Sequence, residues 1–336
     1  MKGEVKMNSN EQLYWDYFND WFELFRKAKI RPVTQRKYKE AQKEIKRLAP
    51  DLRLCDINRM KVQKLLVEYG KTHELETAKG FFHMVKGSLE DARYNGLIDK
   101  DPTYKLRPVS SKDHKVTRAM YLELDQAERL EKVMSQDHSV TGDMLSFDMR
   151  TGLRFAELLG ITPKDVDLKN KMLTINKTWL YKQRAKSDFG ETKNQSSKRT
   201  IILDDLAIKY ISNYLPTCGE NEPVFVKALS MEAGFKPTKQ QKYASIYQAS
   251  IGRRLTRYCK KADVPRIGIH GLRHTHVCLL YNAGVSLLSI AKRLGHANTT
   301  TTQKVYLNLI KAKEQKDNDV MLKALNSLNE QEKKDA

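Results

Sequence analysis

A chain of 336 residues, 40% hydrophobic and 30% charged, has room for two soluble globular domains with a core each. No run of eighteen apolar residues, no signal-peptide core in the opening MKGEVKMNSNEQ and four scattered cysteines (Cys55, Cys218, Cys259, Cys278) exclude a predicted membrane span and a disulfide scaffold, and fit free thiols in a reducing cytoplasm. Sixty-one lysines and arginines against forty-one acids leave a charge of +20, a clustered surplus that points to a polyanionic partner, most simply nucleic acid.

The first hundred residues carry a helical pattern. LYWDYFNDWFELFRK sets Tyr14, Phe18, Trp21, Phe22 and Phe25 on one stripe. TQRKYKEAQKEIKRLAP predicts a second helix, capped by Thr34 and stopped by Pro50. Tyr38, Ala41, Ile45 and Leu48 form its buried edge. Its other face carries Arg36, Lys37, Lys39, Lys43, Lys46 and Arg47 against Glu40 and Glu44, a surface suited to phosphates. NRMKVQKLLVEYG, introduced by Asp56 or Asn58, gives a third helix. LETAKGFFHMVKGSLEDARYNG gives a fourth, burying Ala78, Phe82, Val85, Leu89 and Ala92 and ending at Asn95-Gly96. The prolines, serines and mixed charge of about 101–117 predict an interdomain linker.

Beyond the linker the pattern mixes. SFDMRTGLRFAELLGITPKDVDL predicts one helix ended at Gly160, with a turn at Thr162-Pro163. KMLTINKTWLYKQ and SKRTIIL read as a hairpin or three-stranded meander around the exposed loop RAKSDFGETKNQS. Helical pattern returns after about 204. Between 225 and 261 a second basic surface gathers Lys227, Lys236, Lys239, Lys242, Arg253, Arg254, Arg257, Lys260 and Lys261 with interleaved tyrosines, against Glu232.

Near the end, HGLRHTHVCLLYNAG crowds His270, Arg273, His274, His276 and Cys278 together. His270 and His274 share a helical face, but no Glu follows His270 and no third ligand is spaced to complete a zinc site, so no metal is expected. Asp165, Asp167, Asp204 and Asp205 sit at element ends and read as caps. Neither GxxxxGK[ST] nor GxGxxG occurs, which leaves nothing to bind ATP. His270 and Arg273, three apart, present an imidazole and a guanidinium on one face, and Arg154 in TGLRFAELLG offers a second guanidinium three residues before Glu157. Taken singly, these arginines read equally as surface ion pairs.

In combination the motifs resemble the phage-integrase family of tyrosine recombinases, in order and over nearly the whole chain. TGLRFAELLGIT is similar to the family's first arginine box. TKNQSSKRTIIL is similar to its hairpin-lysine segment, and HGLRHTHVCLLYNAGVSLLSIAKRLGHANTTTTQKVY to its HxxR…GH…Y box. The style is that of integrases of phages and conjugative transposons of Gram-positive bacteria. The resemblance implies Tyr306 as nucleophile, Arg154, Arg273 and His296 on the scissile phosphate, His270 in proton transfer, Lys193 as general acid and Glu157 as a buttress. Lys186, Lys198 and Arg199 are rivals of Lys193 in the same loop, and Tyr281, which reads as core, is the nearest rival of Tyr306. His274, His276 and Cys278 take packing roles.

The implied fold is mainly α with a small antiparallel sheet. A helical core-binding domain (1–103), a linker (104–118), a catalytic domain (119–315) and a tail (316–336) would form a C-shaped clamp on DNA. Arg36, Lys37, Lys39, Lys43, Lys239, Lys242, Arg253, Arg254 and Arg257 are its expected DNA contacts. Val320, Met321, Leu325 and Leu328 at helical spacing suit the tail to docking on a neighbouring subunit. Larger integrases of the family add an N-terminal domain for separate arm sites, whereas here the core-binding helices follow Met1 almost directly. The implied activity is site-specific integration or excision by a tetramer on two duplexes through a Holliday junction, needing no cofactor. Accessory directionality or DNA-bending proteins are possible partners, and no membrane is expected. Type IB topoisomerase-like relaxation and a non-catalytic DNA-binding regulator are the alternatives.

Overall fold

The structure is a computed structural model describing residues 11–30, 32–112, 118–192, 194–296, 318 and 321–322. Helix α1 (Tyr14–Trp21) buries Tyr14, Phe18 and Trp21. It runs into a π-turn, Phe22–Arg26, which keeps Phe22 inside but leaves Phe25 45% exposed. A π-turn closes i→i+5 bonds and delays the register, so Phe25 swings off the stripe expected from a 3.6-residue period.

Helix α2 (Pro32–Leu48) begins at Pro32, whose fixed φ suits the first helical position, so Thr34 lies inside the first turn and does not cap it. Tyr38 reaches back to stack on Phe22 at 5.2 Å and 19°. Of the two candidate caps for α3 (Arg59–Gly70), Asn58 serves: its Oδ1 accepts from the Lys61 amide at 3.0 Å. Helix α4 (Leu75–Tyr94) buries Ala78, Val85, Leu89 and Ala92 as expected, but it is Phe81 that joins them in the core and Phe82 is half-buried. Phe81 stacks on Tyr69 of α3 at 4.0 Å. The helix ends at Asn95 with Gly96 at φ +71°. These elements lie in the first of two units into which the chain divides, Met1–Lys115 and Val116–Ala336. The segment read as linker from 104 is partly folded onto this unit. Leu106 packs on its core, and the Ser111 amide bonds the Gly70 carbonyl at 3.1 Å.

The second unit is built around α6 (Val140–Thr151), nearly all of whose residues are buried. It packs against α5 (Leu124–Ser135), α8 (Asp205–Ser212), α9 (Val224–Glu232) and α11 (Ile269–Asn282). The single helix expected across 146–160 is two. Gly152 caps α6 at φ +64°, a conformation that costs an L-residue with a Cβ, and the chain restarts as α7 (Phe155–Leu158). Helices α10 (Gln248–Lys261) and α12 (Leu287–Leu294) complete the helical shell.

The strands make two small antiparallel sheets. In one, β2 (Met172–Ile175) lies between β1 (Val166–Asp167) and β5 (Arg199–Ile202), with Leu173 opposite Ile201. In the other, β3 (Lys177–Trp179) pairs with β4 (Phe189–Glu191). The stretch expected as an exposed loop therefore supplies β4, held because Trp179 faces Phe189 at 5.0 Å.

Candidate active site

Arg154 stands at the N-cap of α7, where the helix break turns its side chain away from the core. Its Nη1 donates to Glu157 Oε1 at 2.6 Å and to Ser197 Oγ at 3.3 Å, and its Nη2 to the Gly295 carbonyl at 3.2 Å. Glu157 is 2% exposed and accepts a second guanidinium, that of Arg199, at 2.9 Å. Burial raises the Glu157 pKa, but Arg199 and Arg154 outweigh it and hold the carboxyl below its ordinary value. Glu157 is thus an ionised buttress shared by two arginines.

Arg273, on α11, is 2% exposed and spends its fork on main-chain acceptors: Nη1 on the Gly152 carbonyl and Nη2 on the Leu294 carbonyl, both at 2.8 Å. Nη2 also lies 3.0 Å from His296 Nε2. A guanidinium only donates, so this imidazole nitrogen accepts. Desolvation first, then the charges of Arg273, Arg154 and Arg199, push the His296 pKa down to about 4, which keeps the ring neutral. His270, one turn ahead of Arg273, keeps an open face. Desolvation and the same two arginines, Arg273 and Arg154, lower its pKa too.

The two arginines, 119 positions apart by their numbers, are thereby gathered on three consecutive residues, Leu294, Gly295 and His296, at the end of α12. Gly295 caps that helix at φ +66°. What results is a small cationic cradle with a neutral imidazole beside it, suited to a tetrahedral oxyanion.

Of the remaining expected residues, Lys193 and Tyr306 lie outside the described residues, as do Val320, Leu325 and Leu328. Lys186 and Lys198 are exposed. Arg199 is withdrawn as a rival of Lys193, because its guanidinium is committed to Glu157, to the Ser197 carbonyl (2.9 Å) and to the Arg293 carbonyl (2.6 Å). Arg36, Lys37, Lys39 and Lys43 are exposed on α2, and Lys239, Arg253 and Arg257 are exposed in the second unit. Arg254 is turned inward to Asp137 (2.9 Å) and Tyr258 (3.1 Å), and Lys242 is paired with Glu222 at 3.1 Å. Asp165 and Asp204 cap turns and helices, as read from their positions. The His270 and His274 rings meet edge-on at 4.7 Å, and among the described residues no group of three His, Cys, Asp or Glu could hold a metal ion. Cys278 is buried as expected, while Tyr281 is half-buried against a small apolar cluster. Ser197 and Arg293 were not legible as parts of the site, and Arg199 was read only as a rival of Lys193, since the groups they meet (Arg154, His276 and Glu157 among them) stand on other elements.

Comparison with known proteins gives the family and the fold. The profile of the phage integrase family matches residues 120–313. The integrase of Staphylococcus phage L54a is 34% identical over 167 residues, 47% of this chain and 45% of that protein. The transposase from transposon Tn916 of Enterococcus faecalis is 24% identical over 236 residues, 69% of this chain and 58% of its own. The chain spans about half the length of the curated relatives it matches. Among solved structures, the Tn1549 transposon integrase in complex with a circular intermediate DNA superposes with a TM-score of 0.72 at 17% identity, covering 90% of this chain and 98% of that one. A lambda integrase tetramer bound to a Holliday junction gives 0.62 at 17% identity, covering 89% and 84%. The fold is shared with these integrases, and with more than half of its length matched to the family profile the chain belongs to the phage integrase family.

Proposed function

We propose that the chain is a site-specific DNA recombinase that cleaves and rejoins duplex DNA through a 3′-phosphotyrosyl intermediate on Tyr306, integrating or excising a mobile element. The observation that carries this reading is the convergence of Arg154 and Arg273 on the segment Leu294–His296, which ends ten positions before Tyr306 in sequence. A tyrosine hydroxyl with a pKa of ~10 is a poor nucleophile and needs its proton removed during attack. His270, held neutral, is suited to accept it. As the tyrosine oxygen bonds to phosphorus, charge grows on the non-bridging oxygens, and the two guanidiniums with His296 answer it. The bond to the 5′ oxygen breaks, and Lys193 supplies the proton that leaves with it. The ester formed keeps the energy of the bond it replaced, so rejoining needs no ATP.

Exposed cations on α2 and around α10 would hold the duplex backbone. Four protomers would pair two duplexes through a Holliday junction, with accessory DNA-bending or directionality proteins setting the outcome. A cavity of about 690 Å³ beside α5, α11 and α12, floored by Leu124, Ala127, Leu279, Leu280 and Ile290, suits the apolar tail residues of a neighbouring copy. Such an enzyme would work in the bacterial cytoplasm. Among the described residues, no helix is long and apolar enough to cross a membrane.

A nicked core-site substrate tests the reading. With EDTA present, the protein is expected to form a denaturant-resistant adduct, and Tyr306→Phe to bind DNA equally and form none. Adduct in Tyr306→Phe, or a requirement for a divalent metal, overturns it. Relaxation of supercoils without exchange between duplexes would favour topoisomerase-like action instead.

A further inference from the structure

His276 and Arg293 take no part in the mechanism above, yet both are tied to the walls of the phosphate cradle. Arg293 Nε donates to His276 Nε2 at 2.9 Å, so the imidazole proton lies on Nδ1 and is given to the Met149 carbonyl at 3.0 Å. The remaining guanidinium nitrogens of Arg293 donate to the Ile202 carbonyl at 3.0 Å and the Arg150 carbonyl at 3.4 Å. One side chain thus joins α12 to α11, β5 and the end of α6.

From this pair two chains of contacts reach the two phosphate-binding arginines. The Arg293 carbonyl accepts Arg199 Nε at 2.6 Å, Arg199 holds Glu157 at 2.9 Å, and Glu157 holds Arg154 at 2.6 Å. On the other side the His276 ring lies against Gly152, where a Cβ would come within 2.6 Å of its Cδ2, and the Gly152 carbonyl accepts Arg273. We propose that His276 and Arg293 are a positioning pair that sets Arg154 and Arg273 in register from behind. The proposal rests on the phosphate-clamp reading. Its chemistry requires a neutral imidazole: burial, then the Arg293 charge, push His276 down to about 3, so it accepts from Arg293 throughout the physiological range.

The test uses the full chain with Arg293→Leu, Arg293→Lys, His276→Leu and His276→Gln on nicked substrates that carry either a phosphate or a neutral methylphosphonate at the scissile position. On the phosphate, the leucine variants are expected to bind DNA within about twofold of the parent but to form adduct ~10–100-fold more slowly, the cost of an ångström-scale misplacement. The double leucine variant should lose no more than the worse single one, because both act on one arrangement. On the methylphosphonate, which lacks the charge the arginines neutralise, the loss should shrink to a few-fold. A general loosening of the fold would slow both substrates alike. Gln keeps an acceptor and a donor at this position, so His276→Gln should recover most of the rate and carries the test if His276→Leu does not fold. Arg293→Lys, with the charge but no fork, should not recover it. Equal losses on both substrates, or losses that add, overturn the proposal. Arg273→Lys is the control: if it forms adduct at the parental rate on the phosphate, the clamp reading itself has failed.

Discussion

Asp148 lies on α6 at 1% exposure, with neither carboxylate oxygen hydrogen-bonded among the described residues. Desolvation raises its pKa well above the ordinary carboxylate value, against the pull of Arg273 and with a push from Glu157. The folded state therefore keeps a proton that the unfolded chain releases above pH ~3.9, so this group's contribution to stability falls as pH rises from there. His274, His276 and His296 act with the opposite sign. Burial leads the causes that lower them to about 4, 3 and 4. They stay neutral in the fold where the unfolded chain binds protons, below pH ~6.5, so stability drops as pH falls through that window. Thermal midpoints measured from pH 4 to 8 are expected to fall on the acid side of 6.5. The midpoint of Asp148→Asn, relative to the parent, should rise with pH, because the variant has no carboxyl to ionise. A pH-independent difference would mean that Asp148 is ionised in the fold. Arg154, Arg273, His270 and His296 were named from the sequence through the resemblance of their motifs to those of the family, since each alone reads equally as a surface or packing residue. Asp148 and Arg293 were not, since an isolated charge in a helical pattern reads as solvated until the helix facing it is known, and Arg199 was read only as a rival of Lys193 because its hold on Glu157 shows only in the fold.

At the level of elements, apolar periodicity located most helices but not their interruptions. The apolar pattern through SFDMRTGLRFAELLG runs on across Gly152, and only the folded chain shows that it turns there and restarts with Arg154 at the N-cap of α7. Likewise nothing in FELFR announces a π-turn, and β4 was hidden in a polar stretch because its partner is β3 and not the larger sheet. Gly152→Ala tests what the break does. A left-handed alanine costs ~1–2 kcal/mol, and its Cβ would sit 2.6 Å from a buried imidazole, adding overpacking of ~1–3 kcal/mol. Denaturant unfolding should show a midpoint lowered by the equivalent of ~2–5 kcal/mol with an unchanged slope. A cost under ~1 kcal/mol would mean that the turn relaxes freely and does not fix the register of Arg154.

For the whole molecule, what matters is how much chain joins the two units. The sequence reads as linker from 104, but Val109–Lys112 is held on the first unit where α3 ends. Ser111 bonds the Gly70 carbonyl, and Ser110 Oγ bonds the His73 carbonyl at 2.7 Å. The second unit is already anchored at Ala119, whose amide bonds Arg266 at 2.8 Å. Six positions, 113–118, separate these two anchored points in the sequence, a span of at most ~20 Å at ~3.5 Å per residue. Releasing the whole stretch from 104 would extend that to ~50 Å. Gly70→Ala is the substitution that decides whether the latch matters. Helix propensity favours alanine by ~1 kcal/mol. Against this, the new Cβ would lie 2.0 Å from the Val109 carbonyl oxygen, a backbone atom that no rotamer change can move. The segment must lift, losing two hydrogen bonds of ~1 kcal/mol each. Trypsin should then cut after Lys105 and Lys112 several-fold faster than in the parent. A longer tether lowers the effective concentration of one unit once the other is bound, roughly as the −3/2 power of length, so affinity for a full core site should fall about fourfold. Adduct formation at saturating DNA should not change, because the cradle lies wholly in the second unit. Cleavage and affinity equal to the parent's would show that the strap is incidental and that the tether between the units is long from the start.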